Sequence, residues 1–107
     1  MKTVKLPEVV LEQLDRVEGK DLTAKIINLL QQRISMQLQE CDEQILKYET
    51  KYGMDFKQFE VAWRRDEIPE RYSHEVERDL MEWEGLVLER KRWLSTLRNL
   101  KGPDGSR

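Results

Sequence analysis

The sequence predicts a mainly α-helical protein. One short N-terminal strand per chain is paired in a dimer, two helices follow it, and a long helical hairpin completes the chain. Three observations carry this. Apolar residues recur at three- and four-residue spacing over most of the chain. Period-2 alternation is confined to Lys2-Thr3-Val4-Lys5-Leu6, where Val4 and Leu6 alternate with Thr3 and Lys5. Charged residues make up 37% of the 107 residues and hydrophobic residues only 38%, against about 25% charged in an average domain. With a mean hydropathy of -0.78, thin helical seams or a dimer interface suit this composition better than a broad two-layer core. A five-residue strand has nowhere in its own chain to send its backbone groups, so it requires a second copy.

The elements follow in order. Pro7 and Glu8 open a helix whose apolar positions are Val10, Leu11, Leu14 and Val17, and Gly19 ends it. Asp21 caps a second helix with the stripe Leu22, Ile26, Leu29, Leu30 and Ile34. The stripe narrows to the heptad rhythm Ile34, Leu38, Cys41, Ile45, Tyr48, Tyr52, a coiled-coil seam, until Gly53 stops it. Asp55 with Gln58 forms a capping pair for a short helix that presents Phe56, Phe59, Ala62 and Trp63 on one face. A connector around Pro69 leads to Ser73, which caps the last helix. Its seam is Val76, Leu80, Trp83, Val87, Leu94 and Leu97, widened by Leu86, Trp93 and Leu100. Arg90 interrupts that seam and calls for a partner carboxylate. The organisation expected is therefore 1–34 as a dimerisation and DNA-binding region, 35–101 as a helical hairpin for a partner, and 102–107 as a flexible polar tail.

Several functions are disfavoured. No apolar run approaches the roughly 18 residues of a membrane span, and the single Cys41 rules out an internal disulfide framework. Cytoplasm is the expected compartment. Cys41 and His74 are single examples of their kind, and no glycine stands in a phosphate-loop frame. No acid, base and nucleophile converge, so no enzyme, cofactor or metal site is expected. The acidic side chains of 75–84 read as the solvated face of the last helix.

The order Val4-Lys5-Leu6-Pro7-Glu8, then Leu11 and Leu14, then Gly19-Lys20-Asp21-Leu22-Thr23 and Ile26, resembles the ribbon-helix-helix DNA-binding proteins over about residues 2–34. That resemblance implies a homodimer, or a higher even-numbered oligomer, whose paired strands enter the DNA major groove. By position, Thr3 and Lys5 would read bases, and Lys20, Asp21, Leu22 and Thr23 would hold a phosphate at the helix start. Residues 1–33 carry six basic and five acidic side chains, while the remainder is acidic. Any DNA attraction is therefore weak and salt-sensitive.

The second half resembles small uncharacterised prokaryotic proteins associated with toxin–antitoxin pairs, through Lys51-Tyr52-Gly53-Met54-Asp55-Phe56, Val76-Glu77-Arg78-Asp79 and Glu82-Trp83-Glu84. The function this implies is an antitoxin that represses operator DNA and neutralises a toxin. The toxin would be held by aromatic residues of the C-terminal half: Tyr52, Phe56, Phe59, Trp63, Trp83 and Trp93. The alternative is a helical dimeric interaction protein that does not bind DNA.

Overall fold

The described residues form four helices in sequence: α1 (Glu8–Leu14), α2 (Leu22–Tyr52), α3 (Phe56–Arg64) and α4 (His74–Gly105). The computed structural model describes the backbone of residues 5–105 and the side chains of residues 5–101. Among the described residues there is no strand, and this corrects the expected fold. Lys5 and Leu6 lead irregularly into Pro7, and the segments between helices, 15–21 and 65–73, are turns and bends, so nothing among the described residues offers the row of backbone groups a strand must pair with. Among the described residues the ribbon of a ribbon-helix-helix arrangement is not seen and the fold is all-α. Thr3 lies outside the described residues.

The first helix is shorter than its apolar pattern predicted. Pro7 stands at its N-cap with φ -57 and ψ 150, and the carbonyl of Pro7 accepts from the amides of Val10 and Leu11. At the other end Arg16 and Val17 bond three residues back, to Gln13 and Leu14, which tightens and closes the helix before Val17. Gly19 then turns the chain at φ 148, and the Asn28 side-chain amide donates to the carbonyl of Glu18 at 2.6 Å. A Cβ at Gly19 would sit 2.7 Å from the Lys25 backbone nitrogen. Both the dihedral and the close approach therefore require glycine.

The remaining helix ends follow their capping residues. The Asp21 carboxylate accepts from the Ala24 amide at 2.8 Å. From there α2 runs 31 residues without a break to Gly53, which adopts the left-handed conformation at φ 67. The proposed division at residue 34 falls inside this continuous helix. Asp55 and Gln58 make both bonds of a capping box at 2.8 and 2.9 Å. The Val76 amide donates to the Ser73 hydroxyl at 3.2 Å and so fixes the start of α4. That helix continues to Gly105 and takes in backbone that composition assigned to a flexible tail.

Helices α2 and α4 lie antiparallel, since Asp42 meets Arg90, Tyr48 meets Trp83 and Tyr52 meets Asp79. The expected hairpin is present, and the carboxylate that Arg90 called for is Asp42, at 2.6 Å. The molecule measures 57 × 31 × 24 Å with a radius of gyration of 19.9 Å, well above the ~13 Å of a compact chain this long. Such a shape confines the core to one end. There Phe59 and Trp83 are fully enclosed, with Ile68 and Val76 beside them. A Gly19→Ala variant is expected to lose about 1–3 kcal/mol from the packing of α1 on α2. Hydrogen exchange should show this as lost protection in residues 8–17 while the aromatic end stays protected. Phe59→Ala is expected to cost about 3–5 kcal/mol by urea unfolding.

Candidate functional site

Two regions stand out, one at each end of the hairpin. At the turn end Trp83 is the centre of an aromatic cluster. Tyr48 and Tyr52 stack on it with ring centroids 5.5 and 5.9 Å away, and Phe56 and Phe59 meet it at 5.4 and 5.0 Å. A polar collar surrounds these rings. The Tyr52 hydroxyl and the Lys51 ammonium both donate to Asp79 at 2.6 Å, Lys51 also reaches Glu75 at 2.6 Å, and the Tyr48 hydroxyl donates to Glu82. Asp79 is buried, so the acidic face of α4 is not simply solvated: part of it fastens α2.

Burial and the hydrogen bond to Glu82 push the Tyr48 hydroxyl up to about 12, and burial with the bond to Asp79 does the same for Tyr52. Burial works to raise Asp79. The hydrogen bonds from Lys51 and Tyr52 and the charges of Lys51 and Arg78 outweigh it, and they hold the carboxyl below its ordinary value. Lys51 is raised by its bonds to Asp79 and Glu75. Burial, with the charges of Glu89, Asp42 and Glu40, raises the thiol of Cys41, which is free and enclosed on the seam. The shifts of Tyr48, Lys51, Tyr52 and Asp79 follow from burial and from the bonds that fasten α2 to α4.

The connector between α3 and α4 is built around Arg71. Its guanidinium lies 5.1 Å from the Trp63 ring and 4.6 Å from the Tyr72 ring, donates to the carbonyl of Trp63 and the Tyr72 hydroxyl, and pairs with Asp66 at 3.3 Å. Trp63 returns a bond from its indole N–H to the Arg71 carbonyl at 3.0 Å. Asp66 and Glu70 hold left-handed dihedrals, φ 58 and 52, on either side of the buried Ile68.

The aromatic residues expected to hold a toxin are therefore mostly occupied within the chain. Phe59 and Trp83 are fully enclosed, and Tyr52, Phe56, Trp63 and Trp93 are half-buried. Tyr52, Phe56 and Phe59 pack on Trp83, and Trp63 meets Tyr72 and Arg71, because two thin helices must use their largest side chains on each other. Tyr72, which is 66% exposed, is the large aromatic that faces outward.

At the other end, α1 and the first third of α2 leave apolar residues uncovered: Val9, Val10, Leu11, Leu22, Ile26, Leu29 and Leu30. Leu14 is the buried residue of α1. It lines a groove of about 440 Å³ with Val9, Val10, Val17 and Leu29. The residues expected to touch DNA flank this surface. Lys5 is exposed ahead of α1, and Lys20, Asp21, Leu22 and Thr23 cluster, all exposed, at the start of α2. Neither Lys5 nor Lys20 forms an ion pair among the described residues. Asp21 turns its carboxylate onto the helix start, where it satisfies the Ala24 amide. Among the described residues no helix is long and apolar enough to cross a membrane, and no group of acidic, His and Cys side chains has the geometry to hold a metal ion.

Sequence reasoning missed the Asp79 fastening and the Arg71 clamp. The first had a signal: Asp79 lies three residues after Val76 and four before Trp83, so it shares their face. The second had none, because it depends on how the connector folds. No protein-family model, no curated protein and no solved structure matches this chain.

The collar predicts a pH profile for stability. Above pH 10 the unfolded tyrosines release protons that the folded chain retains to about 12, so stability falls as pH rises through that window. Asp79 contributes above its ordinary value, and that contribution is lost as pH falls through its lowered one. In urea unfolding at several pH values, Tyr52→Phe should flatten the alkaline limb. Asp79→Asn should flatten the acid limb and cost about 1–3 kcal/mol at neutral pH.

Proposed function

We propose that the protein is a self-associating helical interaction protein of the antitoxin kind. Two copies join through the apolar face of α1 and the start of α2, and the aromatic-fastened hairpin holds a partner protein. The observation that carries this is the uncovered apolar face, in which Val9 is 62% and Leu22 and Leu30 are each 44% exposed. A standard interface buries roughly 800 Å² per partner, a little over half of it apolar, and seven exposed aliphatic side chains on one face contribute toward that apolar share. The likeness of the hairpin sequence to small toxin–antitoxin-associated proteins supports a toxin as the partner.

Operator binding belongs to the same reading. In the dimer Lys5 and the Lys20–Thr23 cluster would lie beside the shared face, with their cations unpaired and available to phosphate. A second reading, dimerisation without DNA, draws on Asp21, whose carboxylate stands where a phosphate would approach the helix start.

Ile26→Asp with Leu30→Asp is expected to convert a dimer to a monomer in light scattering while helical circular dichroism persists. A wild-type monomer at micromolar concentration would refute the proposal. Lys5→Ala with Lys20→Ala should weaken a salt-dependent shift of the gene's own promoter DNA about tenfold or more and leave the dimer intact. No shift by the wild-type protein would leave the second reading. Co-expression with the product of the adjacent gene tests the toxin arm, through copurification and rescue of toxicity.

A further inference from the structure

Beside the start of α3, the cleft between α2 and α4 lies open as a groove of about 550 Å³. Ile45, Phe56, Val87 and Trp83 supply its apolar lining. Leu46 stands at its edge, 59% exposed. A second depression shares Asp42 and Leu46 with it and extends along α2 to Leu38 and Ser35. Together the two follow α2 from Ser35 to Glu49, about 21 Å at 1.5 Å per residue. That is the length of a helix of some 14 residues, and a helix laid there would complete a three-helix bundle on a hairpin that α3 covers only at one end.

The charge of the rims points to what fits. The α2 side carries Asp42 and Glu49, and the opposite side carries Arg90 and Lys91 of α4 with Lys57 of α3; Asp55, also in the lining, turns its carboxylate onto the Gln58 amide. Asp42 and Arg90 tie the walls together at 2.6 Å, whereas Lys57 and Lys91 make no ion pair among the described residues. Trp83 lies in the groove wall with its indole N–H shielded from solvent, so that N–H reports on the wall without being a contact for the occupant.

A second copy is the wrong occupant. At 100° per residue, the apolar face Leu22, Ile26, Leu29 and Leu30 lies about a quarter-turn to one side of the α4-facing seam of α2. The stripe Ser35, Asp42, Leu46 and Glu49 lies about a quarter-turn to the other side. A two-fold axis through the N-terminal face therefore turns this groove outward in both protomers.

We infer that the groove between α2 and α4 binds one amphipathic helix of a different protein. Such a helix buries an apolar stripe against Leu46 and Val87 and sets basic residues along α2 and acidic residues along Lys57 and Lys91. This rests on the reading that the hairpin is the partner-holding half.

The test uses three labelled 18-residue helical peptides with the same leucine stripe: Lys along one edge and Glu along the other, Glu on both edges, and Lys on both. Fluorescence anisotropy gives affinity, and the Trp83 indole N–H resonance reports the site. The mixed-edge peptide is expected to bind about tenfold more tightly than either uniform one and to shift that resonance. Leu46→Glu, at an exposed position, should abolish binding without lowering the melting temperature. Lys57→Glu with Lys91→Glu should transfer the preference to the all-Lys peptide.

Equal binding of all three peptides, binding unaffected by Leu46→Glu, or no binding at all overturns the inference. If Leu46→Glu instead halves the mass of a wild-type tetramer, the groove belongs to a second copy and the inference fails. Copurification of the adjacent gene product that persists in Leu46→Glu removes the groove and leaves the proposed function standing. Peptide binding without copurification removes the antitoxin role and leaves the groove.

Discussion

Everything at the ordered end of this molecule depends on enclosing one indole. Trp83 sits midway along the paired stretch of α4, and four rings from α2 and α3 close around it. Two helices alone expose too much of their contact surface to bury a residue that large. The short α3 solves this by folding back, so that Phe59 and Phe56 cover what Tyr48 and Tyr52 leave open. Without that cover the α2–α4 pairing is a two-stranded seam, with Cys41 and Ile34 as its other enclosed positions on α2.

The polar collar follows from the same constraint. Tyrosines used as wall panels bring their hydroxyls to the rim, where each needs a partner, and α4 supplies Asp79 and Glu82 at the matching heights. Lys51 then balances the charge of Asp79 and Glu75. A buried carboxylate with two donors, one of them cationic, discriminates among registers: a shift of α2 along α4 by one turn would strand Asp79 without them. The collar thus specifies alignment more than it adds stability, since one of its partners, Lys51, is 41% exposed and screened by water.

The two ends of the chain are built on different principles. One end is closed on itself, with its large aromatics consumed internally. The other carries a short helix pinned by Gly19 and the Asn28–Glu18 bond, with seven apolar side chains facing out. That asymmetry divides the hydrophobic residues of a highly charged chain into a set enclosed between its own helices and a set exposed on α1 and the start of α2.

Local chemistry was legible in the residues. Asp21, the Asp55–Gln58 box, Gly53 and Ser73 mark helix ends, because capping depends on neighbours three residues away. The heptads made the hairpin readable, and Arg90 in a seam announced an acidic partner that proved to be Asp42. Other features needed the tertiary structure. The alternation at residues 2–6 spoke for a strand, but a strand exists only if another backbone lies beside it, and among the described residues none does. Trp83 and Phe59 read equally well as binding residues or as core, since spacing gives a face and not its occupant. Only the folding back of α3 decided that they are core. The Arg71 clamp joins residues across a connector with two left-handed turns, and no periodicity encodes such a path. Sequence by itself determined where the helices start, stop and point their stripes. Tertiary structure decided which stripes found cover, because burial is a property of what lies opposite.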